Sequence, residues 1–166
     1  MKRITKHFGR TAAAAVVAAG LISTVAVGPA NADSKIYFSN QWWGCGTSIS
    51  SSSVRLTFQC DGNLVLYQIS TGRALWASGT DGWGVTRIVW AESGFDQIDF
   101  RDNSGNEYCG IPGAAANVGV NGYADVQNDG NFVLYNQSGH AVWASNTDGY
   151  RQGSTSLCNG DDYIGE

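Results

Sequence analysis

The sequence predicts a small all-β domain, and three observations lead there. The first is a repeated string in which polar and apolar residues alternate: residues 59–67 read QCDGNLVLY and residues 127–135 read QNDGNFVLY. Each is followed, after a Gly-containing turn, by a second repeated string, GRALWASGTDG from Gly72 and GHAVWASNTDG from Gly139. The second is composition: six Trp, seven Tyr and 22 Gly, with two Pro and 14% charged residues, suit short strands joined by many turns. The third is that no window beyond residue 32 sustains a helical period.

In chain order, residues 1–32 read as a signal peptide. Lys2, Arg3, Lys6 and Arg10 make a basic start, Thr11 to Val27 is almost wholly apolar, and Ala30-Asn31-Ala32 gives a small-x-small cleavage pattern. Cutting after Ala32 leaves 166 − 32 = 134 residues, the size of one domain. Lys plus Arg then falls to 10 − 4 = 6 against 14 acids, a net charge of −8. Such a chain is poorly suited to nucleic acid or to an anionic membrane surface, and no later stretch has the length of a membrane span. The expectation is a released, extracellular protein. Cys45, Cys60, Cys109 and Cys158 agree with export, since four cysteines in a short exported chain imply two disulfides. Of the three possible pairings, Cys45–Cys60 with Cys109–Cys158 keeps the loops short. Their spacing fits no zinc site.

One domain over residues 33–150 divides into three repeats, about 54–84, 85–118 and 119–150, followed by a Ser/Gly/Asp-rich tail at 151–166. The offset 127 − 59 = 68 is twice 34, so a third unit belongs between the two clear ones. It is present in worn form from Val85 to Asp102, with Asp96, Ile98 and Phe100 in the Asn, Val and Tyr places and Cys109 where Trp76 stands in the first unit. Strands are expected at Val54–Phe58, Leu64–Tyr67, Ala74–Ala77, Phe132–Tyr135 and Ala141–Trp143, with turns at Asp61-Gly62 and Asp129-Gly130. Period two puts Leu64, Leu66, Phe132 and Leu134 inward with Trp76 and Trp143. Asn63, Val65 and Tyr67, and likewise Asn131, Val133 and Tyr135, then face outward. Trp42 and Trp43 precede the first unit and either complete the core or, with Cys109 at a Trp position, accompany a rearranged one.

The outward set has the chemistry of a shallow polyol site. Gln and Asn both donate and accept, Asp accepts twice, and the Tyr hydroxyl does either. A Val among them offers an apolar patch for sugar C–H groups, and no metal is needed.

The string Q-x-D-x-N-x-V-x-Y resembles the mannose-binding signature of the bulb-type, or monocot mannose-binding, lectins. It is complete in Gln59, Asp61, Asn63, Val65 and Tyr67 and again in Gln127, Asp129, Asn131, Val133 and Tyr135. The resemblance covers about residues 37–150 and is to a bacterial secreted member of that family. It implies a β-prism II fold of three four-stranded sheets around a pseudo-threefold axis. It also implies two carbohydrate-binding sites for mannose or mannose-rich glycans, in which Gln, Asp, Asn and Tyr bond sugar hydroxyls and Val packs on the ring. The middle repeat, with Ala91 and Ser93 or else Glu92 and Gly94 in the Gln and Asp places, and with Phe100 lacking a hydroxyl, is expected not to bind mannose. The four cysteines also depart from the single disulfide usual in the plant proteins.

Catalysis is not expected. His140 is the only imidazole left after the leader and sits in a predicted turn, and Asp61 and Asp129 lie in different units and are not expected to meet as a glycosidase pair. No cofactor is implied. The expected function is a secreted, metal-independent lectin, with a homodimer possible in this family. A lectin-like bacteriocin or protein-interaction module on the same scaffold is the alternative.

Overall fold

A computed structural model describes residues 33–91, 96–112 and 122–153. The expected signal peptide, most of the tail and Cys158 of the second expected disulfide lie outside these residues. So do Glu92, Ser93 and Gly94.

Twelve strands are present: β1 (Ser34–Tyr37), β2 (Gln41–Gly44), β3 (Ser48–Ser50), β4 (Val54–Phe58), β5 (Leu64–Gln68), β6 (Ala74–Ala77), β7 (Arg87–Trp90), β8 (Asp96–Arg101), β9 (Glu107–Pro112), β10 (Tyr123–Val126), β11 (Phe132–Tyr135) and β12 (Ala141–Ala144). Among the described residues the one helical segment is a single 3-10 turn, Asp148–Tyr150. No helix there is long and apolar enough to cross a membrane. The strands form three four-stranded antiparallel sheets in the orders β3-β4-β5-β6, β2-β7-β8-β9 and β1-β10-β11-β12. They make the three sides of a prism, and the all-β, threefold expectation holds.

Each sequence repeat supplies three consecutive strands of one sheet, but the fourth comes from elsewhere. The segment from residue 34 to residue 50 contributes β1 to the third-repeat sheet, β2 to the middle sheet and β3 to the first. It thus touches all three sides of the prism.

Alternation turns one face of every sheet inward. Rows run across the strands in register: Ile49–Leu56–Leu66–Trp76, Trp43–Ile88–Phe100–Cys109 and Ile36–Ala124–Leu134–Trp143. Nearly all of these residues are buried, and they fuse into one core. The register shifts after Leu66, Phe100 and Leu134, one irregularity at the same place in each sheet, which sets Trp76, Cys109 and Trp143 in equivalent positions. Where Cys109 leaves the last strand of the middle sheet small, Trp43 restores bulk from the first strand. Its ring meets Trp90 edge-on at 5.0 Å between centroids. Trp76 and Trp143 make the corresponding edge contact at 5.5 Å. Trp42, its side chain on the opposite face, is 67% exposed, so only one of the two adjacent tryptophans completes the core.

Cys45 and Cys60 are bonded, joining the β2–β3 connection to the β4–β5 turn, as expected from loop length. The start of the tail docks on β6, where Gln152 Nε2 and Gly153 N–H both donate to the Leu75 carbonyl at 2.9 and 2.8 Å.

Candidate functional site

The two intact motifs lie on the β4–β5 and β10–β11 hairpins, and both are built alike. Phe58 opposes Leu64 and Val126 opposes Phe132, leaving five residues in each loop. In the first, Gln59 N–H donates to the Asn63 carbonyl at 2.8 Å and Gly62 N–H to the Gln59 carbonyl at 3.1 Å; in the second, the equivalent bonds of Gln127 and Gly130 measure 2.8 and 3.1 Å. Gly62 and Gly130 hold φ of +93° and +99°, and a Cβ at Gly62 would stand 2.8 Å from the Val85 carbonyl oxygen, so glycine is required there. Asp61 Oδ1 accepts from Asn63 N–H at 3.0 Å and Asp129 Oδ1 from Asn131 N–H at 2.9 Å. These are Asx turns, and they leave each second carboxylate oxygen toward solvent.

The side chains that follow converge on the outer face. Gln59 Nε2 donates to Tyr67 Oη at 2.8 Å, and Gln127 Nε2 to Tyr135 Oη at the same distance. Each phenol keeps its own proton to give, and each amide keeps its oxygen. Asn63 Oδ1 faces the other way. It accepts from Ser78 Oγ at 2.9 Å, Gly79 N–H at 3.0 Å and Thr80 N–H at 3.4 Å. Asn131 Oδ1 does the same with Ser145 Oγ at 3.0 Å and Thr147 N–H at 3.2 Å. The asparagines are therefore half structural, and what they direct outward is the Nδ2 amide. In the first hairpin that amide also makes a long 3.4 Å contact with Asp81 Oδ1; the equivalent Asp148 pairs with Arg151.

Ser78, Thr80, Ser145 and Thr147 are the functional-site residues that motif reasoning missed. Each is buried, and the two threonine hydroxyls donate to the Gly62 and Gly130 carbonyls at 2.7 and 2.6 Å. The signal was in the second repeated string, whose Ser-x-Thr recurs in both copies. Val65 and Val133 occupy the outer face as expected, yet both are only 3% exposed. Flanking strands close over them: Thr57 and Ala77 beside Val65, Asp125 and Ala144 beside Val133. The apolar patch is smaller than the sequence suggested.

The middle repeat departs from the expected alignment. Asp96, Ile98 and Phe100 do not occupy the Asn, Val and Tyr places. Seven residues separate Trp90 from its partner Ile98, where five separate Phe58 from Leu64. With two extra loop residues instead of one, Ile98, Asp99, Phe100 and Arg101 change face relative to that alignment. Ile98 and Phe100 are core residues, fully buried at the Leu64 and Leu66 places. Asp99 and Arg101 stand at the Val and Tyr places, and Ala91, buried, at the Gln place. Arg101 Nη2 bonds Asp99 at 2.6 Å and Glu107 at 3.0 Å, so an ion cluster covers this face.

Among the described residues no three His, Cys, Asp or Glu side chains gather where they could hold a metal. His140 is exposed at the β11–β12 turn, and Asp61 and Asp129 lie on different sheets.

Asp125, beside Val133, is 4% exposed, and its Oδ1 has no hydrogen-bond partner. Burial, reinforced by Asp33 and opposed by Lys35, with Asp129 adding a further push, holds its pKa above the ordinary carboxylate value. For an acid raised in this way, ionisation costs more in the fold than in the unfolded chain. Its neutral form contributes stability that is present at low pH and lost as pH rises through the unfolded and then the folded pKa. Asp125→Asn is expected to raise the melting temperature at pH 7, with the gain shrinking as pH falls toward about 4 and absent below it. Thermal melts at pH 3, 5 and 7 check this.

No family model matches the chain. It is 36% identical over 84 residues to Curculin-2 of Molineria latifolia, a match covering 51% of this chain and 52% of that protein, so the chain spans about half the length of the curated relative it matches. Among solved structures it is similar to a monomeric monocot mannose-binding lectin from Gastrodia elata, at 28% identity and a TM-score of 0.54 over 69% of this chain and 97% of that one. It is similar also to a mannose-specific lectin from the Dutch crocus, Crocus vernus, at 26% identity and a TM-score of 0.51, covering 69% and 93%.

Proposed function

We propose that this chain, a structural relative of monocot mannose-binding lectins, is itself a secreted, non-catalytic and metal-independent lectin that takes mannose at two sites. The sites are Gln59, Asp61, Asn63, Val65 and Tyr67 on the first-repeat sheet, and Gln127, Asp129, Asn131, Val133 and Tyr135 on the third. The observation that carries this reading is the identical wiring of the two hairpins: Gln to Tyr at 2.8 Å, Asp to the Asn backbone, and Asn Oδ1 anchored in a Ser-x-Thr loop. That wiring leaves a like outward array twice: an amide oxygen, a carboxylate oxygen, an amide N–H and a phenol O–H. Adjacent hydroxyls of a mannose ring complement such a mixed array, and each shallow site would hold a single sugar on the order of millimolar. Two sites on different sides of a prism gain strength only on branched or clustered glycans. The middle sheet, with its Asp99–Arg101–Glu107 cluster, takes no mannose.

The test is a glycan array with residues 33–166, with and without chelator and competing mannose, alongside Asp61→Ala combined with Asp129→Ala. Chelator-insensitive signal on mannosylated glycans, competed by mannose and absent from the double variant, is expected. Unchanged binding by the double variant would show the assigned sites to be wrong.

A further inference from the structure

We propose that the third-repeat site continues sideways into an aromatic shelf that holds a second sugar of a mannose-terminated oligosaccharide, a subsite the first-repeat site lacks. The inference rests on reading Gln127–Tyr135 as a mannose site.

Register places Tyr37, Tyr123 and Tyr135 directly opposite one another on β1, β10 and β11. Tyr123 and Tyr135 stack with centroids 5.0 Å apart and planes at 18°, and Tyr37 follows at 6.0 Å, tilted by 51°. The row therefore begins at the phenol that belongs to the site and runs outward to the sheet edge. Lys35 Nζ lies 4.3 Å over the Tyr123 ring.

The corresponding outer rows elsewhere are Ser50–Arg55–Tyr67 on the first-repeat sheet and Gly44–Arg87–Arg101 on the middle one. The inward apolar rows recur on all three sheets because the core demands them. This outward aromatic row occurs once, so the fold does not require it. Cross-strand stacking accounts for Tyr123 against Tyr135. It does not account for Tyr37, which is 59% exposed on an edge strand and adds nothing to the core.

The occupant follows from continuity with the site. Two strand spacings, about 10 Å, separate Tyr135 from Tyr37, the length of a disaccharide. A sugar linked to the mannose at Tyr135 would lay its C–H face along the exposed Tyr37 ring and meet the phenol hydroxyls and the Lys35 ammonium with its own hydroxyls.

Two single-site proteins separate the cases: Asp61→Ala leaves the third-repeat site and Asp129→Ala the first. Each is titrated calorimetrically with methyl α-mannoside and with α1,2-, α1,3- and α1,6-linked mannobiosides. In Asp61→Ala at least one mannobioside is expected to bind about tenfold more tightly than the monosaccharide, against a less than about twofold preference in Asp129→Ala. Adding Tyr37→Ala to Asp61→Ala removes the preference and leaves methyl mannoside binding as it was. Equal preferences in the two single-site proteins, or a Tyr37→Ala loss shared equally by both ligands, would overturn the shelf while leaving the mannose sites standing. No binding of methyl mannoside by either protein would overturn the site reading and the shelf with it.

Discussion

Asn63→Asp combined with Asn131→Asp is expected to abolish detectable mannoside binding while the protein stays folded. Asparagine does two jobs in each hairpin. Its Oδ1 holds the Ser78–Thr80 or Ser145–Thr147 loop, and its Nδ2 points outward. Aspartate keeps an oxygen for the first task and replaces the outward donor with a second acceptor. The added charge, near Asp61 and Asp81 in the first hairpin, falls at half-buried positions and costs about 1 kcal/mol at each, so the melting temperature falls by several degrees while cooperative unfolding is retained. Asn63→Ala separates the functions from the other side. It removes the acceptor of the Gly79 and Thr80 N–H groups and one of the partners of Ser78 Oγ, at about 1–3 kcal/mol, and loses binding as well. Calorimetric titration beside thermal melts distinguishes the two. Retained binding in the Asn→Asp pair would remove the asparagines from the ligand set.

The largest loss of stability is expected from Trp90→Ala. Trp90 has no exposed surface, meets Trp43 edge-on at 5.0 Å and stacks near Phe38 at 6.3 Å. Truncation of a buried tryptophan costs about 3–5 kcal/mol, a large part of the stability of a domain this size. The middle sheet cannot recover the volume, because Cys109 already stands where its neighbours carry Trp76 and Trp143. Trp90→Phe is expected to cost less than half as much. It leaves a smaller cavity and also removes an indole N–H that has no partner. Urea unfolding of the three proteins measures both differences. A loss below about 1 kcal/mol for Trp90→Ala would mean the Trp43–Trp90 contact is not a core element.

Much of this was legible along the chain because its causes are local. Strand β4 matches Val54–Phe58, β6 matches Ala74–Ala77 and β11 matches Phe132–Tyr135, since period-two alternation and Asp-Gly turns act over a few residues. The Cys45–Cys60 pairing followed from a short loop. The inward and outward sorting of Leu64, Leu66, Phe132 and Leu134 followed from the pleat.

Three features needed the assembled fold. Strands β1, β2 and β3 are too short and too polar to announce themselves. Each exists because a sheet edge from a different repeat is there to receive it, so the fourfold count and the partner of each strand are properties of the closed prism. The middle repeat shows the second. Whether its loop is longer by one residue or two decides which face Ile98 and Asp99 take, and only pairing against Trp90 settles that. The third is the exposure of Val65 and Val133, set by side chains on adjacent strands far away in sequence. The repeat, the turns and the chemistry gathered at each hairpin are written along the chain, because alternation and turn preference are local. Tertiary structure alone decided register and partner, because interstrand hydrogen bonds and shared burial join residues the chain keeps far apart.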